Sequence, residues 1–340
     1  MHVLKRSLLS LGLAMFAAAV FAQGALEKKD VHISVGGKAG LYYLPLTIAE
    51  QKGYFKDEGL NVKVSDFAGG SQALQAVVGG SADVVSGAFE HTINMQAKKQ
   101  SMIAFVQMGR LPQIAVGISK AKAASYKSPK DLKGLKIGVS APGSSTNLLF
   151  NMFIAKEGLK PSDVSIIGVG TGSGGVAAMK SGQIDAISNI DPIMTKLELD
   201  GDVKIIADWR TVKGTVATFG GELPAASLYA STKYVKENPN TVQALTNAIV
   251  RADKWLAQAS ATDVIKVVPP AYLLGDSALY LFAFDKVKEA FSPDGTISAA
   301  GAKAMLNVLT AGNPAIKAEE IKLNETFTND FVKKAQAKYK

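Results

Sequence analysis

Along the chain, short β-branched and apolar runs alternate with stretches whose apolar positions recur every three or four residues. The runs fall at Val31–Val35, Asn61–Phe67, Ala82–Ser86 and Met102–Val106, then at Leu135–Ser140, Val164–Val169, Ile184–Ser188 and Val203–Ala207. Several are apolar throughout, as strands covered on both faces should be. The stretches between them, such as Pro45–Gln51, Ser71–Val78, Thr92–Lys99, Ser145–Lys156 and Val176–Lys180, read as helices. Such alternation predicts parallel sheets with right-handed crossovers. After Ser231 the pattern becomes helical, at Asn240–Ala259, Ser277–Ala290 and Ser298–Thr310.

The first half of this pattern recurs in the second. Gly70 to Ser86 aligns without a gap with Gly172 to Ser188, matching Gly70, Ser71, Ala76, Gly80, Asp83 and Ser86 to Gly172, Ser173, Ala178, Gly182, Asp185 and Ser188. Upstream, Lys56–Leu60 echoes Ala155–Leu159, and downstream Met102–Arg110 echoes Val203–Arg210. A repeat of one α/β unit predicts two lobes. Gln113–Ser119 and Ala225–Ser231, extended segments flanking the second copy, are the expected crossings between them. The expected division is residues 23–115 with 228–340 for lobe 1 and 116–227 for lobe 2, the late helices packing on the first lobe or around both.

In open α/β sheets, ligands bind beyond the carboxyl ends of the strands. That rule selects the loops Gly36–Leu44, Ala68–Gln72, Gly87–His91 and Met108–Arg110 in one lobe, and Ala141–Thr146, Gly170–Gly174, Asn189–Pro192 and Asp208–Arg210 in the other. If the lobes face each other, all eight line one cleft that hinge motion can close. Three of these loops are Gly/Ser-rich and lead into helices, offering Gly70, Ser71, Gln72, Gly143, Ser144, Ser145, Thr146, Ser173 and Gly174. They either cap their helices or present free N–H groups and hydroxyls to an anion. Arg110 and Arg210 follow strands at equivalent places and suit either a carboxylate clamp or a structural ion pair. Leu41, Tyr42, Tyr43, Phe89 and Phe219 are candidates to pack an organic body or the core. Glu90, His91 and Asp191 point the other way, towards an amine or amino-heterocycle, with helix capping the alternative for Asp191.

Composition narrows the field. The chain has no cysteine, which excludes disulfides, thiolate metal sites, a cysteine nucleophile and a lipid-modified N-terminal cysteine. Lys5 and Arg6, the apolar run Leu8–Val20 and the small residues ending at Ala22 predict a cleavable signal peptide over residues 1–22. Its removal takes two basic residues and lowers the formal charge from +9 to +7. The excess lysine is scattered, so nucleic acid is not an expected partner. Catalytic signatures are sparse: there is no H-E-x-x-H, P-loop or G-x-S-x-G, and no metal or cofactor is expected. Gly170–Gly175 fits G-x-G-x-x-G spacing, with Asp191 where a ribose-binding acid would stand, but leaves its helix only about two turns.

Gly53-Tyr54-Phe55-Lys56-Asp57-Glu58-Gly59-Leu60-Asn61-Val62 resembles the G-Y-F-x-x-E-G-L-x-V signature of the nitrate/sulfonate/taurine-type ABC transporter substrate-binding family. Gly80-Ser81-Ala82-Asp83 is similar to that family's G-x-A-D segment, and Pro142-Gly143-Ser144 and Asp191-Pro192 look like its second-lobe landmarks. The resemblance implies a type II periplasmic-binding fold, related to thiamine-pyrimidine synthases. It implies ligands such as sulfonates, nitrate, aromatic carboxylates or thiamine-type pyrimidines. The expectation is a monomeric, non-enzymatic periplasmic protein that takes a small organic anion to an ABC permease. The alternatives are an amino-pyrimidine or amine held by Glu90 and Asp191, and a dinucleotide enzyme built on the Gly170–Gly175 loop.

Overall fold

The computed structural model describes residues 24–340; the expected signal peptide lies outside the described residues. Ten strands form two five-stranded sheets. The first holds β1 (Asp30–Gly36), β2 (Asn61–Phe67), β3 (Val84–Ala88), β4 (Met102–Gln107) and β10 (Ala226–Ser231), in the order β2-β1-β3-β10-β4. The second holds β5 (Ile114–Ser119), β6 (Lys136–Val139), β7 (Ser165–Gly168), β8 (Ala186–Ile190) and β9 (Val203–Asp208), in the order β7-β6-β8-β5-β9. The two orders are the same pattern. In each, the first three strands of that order pair in parallel and one strand, β10 or β5, runs antiparallel between two neighbours. These two are the segments expected to cross between lobes. Each crosses and then enters the middle of the opposite sheet.

The repeat survives at the level of single bonds. Asp83 accepts the His32 N–H and Asp185 accepts the Lys136 N–H, both at 2.9 Å, so one carboxylate ties the same neighbouring strand in each lobe. Gly59 and Gly158 both turn the chain at positive φ, 79° and 80°, a conformation that L side chains resist. Strands β3 and β8 are buried along their whole length, which is why their sequences carry no polar alternation.

The late helices embrace both lobes. Pro239–Gln258 packs on Leu44–Gln51 and on the C-terminal helix Asp330–Lys338. Ala299–Gly312 touches Glu90–Ala97 in the first lobe and Ser145–Ala155 in the second, and Ser277–Val287 reaches Ile193–Leu199. Among the described residues, no helix is long and apolar enough to cross a membrane.

Candidate functional site

The carboxyl ends of the parallel strands in the two sheets face each other, and the lobes are in contact across the gap. Ser71 donates its backbone N–H to Ser144 Oγ at 2.9 Å and its hydroxyl to the Pro142 carbonyl at 2.9 Å. Leu41 N–H meets the Asp191 carbonyl at 2.9 Å. Close approach requires glycine here: a β-carbon on Gly37, which sits at φ +99°, would stand 2.0 Å from Thr171 Oγ1 on the opposite lobe. A β-carbon on Gly36 would lie 2.2 Å from the backbone nitrogen of Gly70.

Between these seams lies a cavity of about 20 Å³, room for a water or two. Lobe 1 lines it with Gly36, Tyr42, Tyr43, Gly70, Ala88 and His91, and lobe 2 with Ile114, Ser140, Ser144, Ser145, Thr146, Thr171 and Ile190. The helices Gly70–Val78, Ser145–Ala155 and Ser173–Lys180 have no side-chain cap at their N-terminal boundaries. Gly70, Ser71, Ser144, Ser145 and Thr146 turn to the cavity or the seam, Thr146 Oγ1 also accepting the Ser140 N–H of its own loop at 3.0 Å. The loop before the third helix contributes through Thr171, while Ser173 and Gly174 are exposed.

At the cavity wall and directly behind it, polar groups are buried without partners. Among the described residues, Tyr42 Oη, His91 Nε2 and both oxygens of Glu90 have none. The other ring nitrogen of His91, Nδ1, is 2.8 Å from Tyr229 Oη. Burial lowers the His91 pKa to about 4, with the positive Lys98 adding to that and the Gly143 backbone opposing it, so the ring is neutral near pH 7. Burial raises the Glu90 carboxyl to about 7; the Ser145 hydroxyl, which approaches without closing a full bond, and Glu90's own N–H pull it back only in part. The Tyr42 hydroxyl is pushed well up, first by burial and then by Glu90.

Other expected contacts lie elsewhere. Arg210 is buried and consumed inside lobe 2, with Asp191 at 3.3 Å, Asp208 at 2.5 Å and Glu198 at 3.3 Å. Asp191 also accepts the Thr195 N–H at 2.7 Å, the role at a helix start that its position suggests. Burial raises its carboxyl and Arg210 opposes the rise. Neither residue of this pair is free to clamp a solute, because a buried charge leaves its partner only at large cost. Arg110 is half-exposed and binds Glu222 and the Glu289 carbonyl. Phe89 packs edge-on against Phe327, Phe219 lies against Trp209, and exposed Gln72 accepts the Ala68 N–H. Gly143 sits at φ +79° and donates to Asn147, shaping the loop without lining the cavity.

The lining residues Gly36, Ala88, Ser140, Thr171 and Ile190 fall in or beside the loops that the strand-end rule selects, so their omission was one of residue choice. Ile114 and Tyr229 stand on the two antiparallel strands, where the repeat gave no sign of a cleft.

Duplicated sheets whose strand tips converge on a small cavity between them define a two-lobed periplasmic-binding fold, with the strand inserted from the opposite lobe as its mark. The chain belongs to the NMT1-like family, whose profile matches residues 24–268. It is 58% identical to a protein of Bordetella bronchiseptica RB50 of known structure, with a TM-score of 0.91, covering 93% of this chain and 99% of that one. The fold is also that of the alkanesulfonate-binding protein SsuA of Xanthomonas axonopodis pv. citri, solved with MOPS bound. The TM-score is 0.68 at 21% identity, over 90% of this chain and all of that one. Among curated relatives, the Bacillus subtilis protein YtlA, designated a binding protein, is 24% identical over 75% of each chain.

Proposed function

We propose that this chain is the exported solute-binding component of an ABC importer, closing its lobes on a small organic anion and handing it to a membrane permease. The observation that carries the reading is the cavity wall. Two helix N-termini, at Gly70 and Ser145, meet there from opposite lobes, the first with its Ser71 N–H held by Ser144 Oγ in the closed seam, among the hydroxyls of Tyr42, Ser144, Ser145, Thr146 and Thr171. Such termini favour negative charge, and hydroxyls can all act as donors. A solute larger than the cavity holds the lobes slightly apart and is gripped from both sides. The likeness to a sulfonate binder supports the same ligand class. On this reading the protein acts in the periplasm as a monomer, and binding rather than turnover is its work.

The amine reading loses one of its two carboxylates, since Asp191 is already paired with Arg210. The dinucleotide reading loses the same residue, and the helix after the glycine loop, Ser173–Lys180, is only eight residues long. A thermal-shift screen at pH 6.5 with sulfonates, carboxylates, nitrate, amines and amino-pyrimidines tests the proposal. Anions should raise the melting temperature; a response confined to amines or neutral heterocycles would reverse the ligand class.

A further inference from the structure

The binding reading leaves one group in conflict with it: a carboxyl group lies directly behind the side chains that line the cavity where an anion is to bind. Glu90 is wholly buried, both of its oxygens lack partners among the described residues, and the groups around it border the cavity. Tyr42 and Tyr43 face it from the turn after β1, Tyr229 from β10, His91 from its own helix and Ser145 from the opposite lobe. All of these are uncharged near pH 7. No lysine or arginine is among the described residues lining the cavity.

The surroundings are rich in donors. A neutral His91 that accepts at Nδ1 from Tyr229 carries its hydrogen on Nε2, an unpartnered atom. Tyr42 Oη is a second unpartnered donor, and the Ser145 hydroxyl borders the same cavity. An ionised Glu90 beside a bound anion would place two negative charges together in a water-poor chamber, which is strongly unfavourable. The same carboxyl in its acid form becomes one more donor.

We propose that Glu90 serves the site as a carboxylic acid, donating its proton in a hydrogen bond to an oxygen of the bound anion, so that capture is coupled to protonation of this residue. The inference rests on the anion-binding reading above. Above neutral pH the proton comes from solvent as the solute binds, and it returns there on release. A carboxyl titrating near pH 7 gives the coupling its sign: the competent, protonated form declines as pH rises.

Isothermal titration calorimetry of the mature protein with methanesulfonate, ethanesulfonate and nitrate, whose own charges do not change between pH 6 and 8, provides the test. The dissociation constant of any anion that binds should rise about tenfold from pH 6 to pH 8, with proton uptake that grows across that interval. E90Q, whose amide donates at every pH, should flatten this profile. The carboxylic C=O band missing from E90Q should persist in wild-type infrared spectra at pH 7.5 when the anion is bound. Anion binding with a flat profile, or one that tightens as pH rises, would overturn the role of Glu90 and leave the binding reading standing. Failure of every anion at every pH would overturn both.

Discussion

Asp253 shows what a single buried carboxyl does to a fold when no ligand calls for it. It sits fully buried on the helix Pro239–Gln258 with both oxygens unpartnered among the described residues. Burial, reinforced by the charge of Asp294, raises its pKa well above the ordinary 3.8. The folded state therefore holds a proton that the unfolded chain gives up above about pH 4, so stability falls as pH rises from there towards the raised value. D253N is expected to stabilise the protein by about 1–3 kcal/mol at pH 7.5 and by much less at pH 4, read from thermal melts at both. Equal gains at the two pH values would show that Asp253 is not the titrating group. Nothing in the sequence separates this residue from a solvated helix acid. Arg210 illustrates the same limit: spacing placed it at a strand tip, but only the fold reveals Asp191, Asp208 and Glu198 gathered around it.

The G-Y-F-x-x-E-G-L segment finds its physical reason in how elements join. Its Glu58 is buried and accepts from Asn247 Nδ2 at 2.7 Å, from Lys338 Nζ at 2.9 Å and from the Tyr339 hydroxyl. Arg251 stacks 4.1 Å from the Tyr54 ring and 5.1 Å from the Tyr339 ring. One short motif thus fastens the long helix and the C-terminal helix to lobe 1. Removing residues 338–340 should cost about 1–3 kcal/mol, since Lys338 is partly exposed. Hydrogen exchange should then quicken first in Asp330–Lys338; unchanged protection there would show that apolar packing holds the helix unaided. At this scale the sequence was readable. All eight strands expected from the apolar runs exist, the buried ones such as β3 and β8 because a strand covered on both faces has little freedom in composition. The antiparallel roles of β5 and β10 were not readable, because strand direction leaves no trace in periodicity.

For the whole molecule, the balance between open and closed lobes rests on a few bonds across the seam. Ser71 contributes three of them: its N–H donates to Ser144 Oγ, its hydroxyl donates to the Pro142 carbonyl, and that hydroxyl accepts from Ser144 Oγ at 3.1 Å. S71A removes the hydroxyl's bonds to Pro142 and Ser144, and solute affinity should fall about five- to thirtyfold, the effect of one to two net hydrogen bonds. Because the loss bears on closure, small-angle scattering of the variant should report a larger radius of gyration at subsaturating solute. Unchanged affinity and scattering would mean that the solute alone sets the balance. The cleft itself was legible from the repeat, since duplicated strand tips must share a hollow. Its contents were not, because which hydroxyl faces inward depends on loop turns that no period encodes.

The late arrival of the first sheet's penultimate strand has a consequence for biosynthesis. The second sheet draws all its strands from one unbroken stretch, Ile114 to Asp208, whereas the first waits for Ala226–Ser231 to fill the gap between β3 and β4. A nascent chain emerging from its N-terminus can therefore complete the later half before the earlier one. Until that missing strand arrives, the leading hundred residues remain an unfinished sheet.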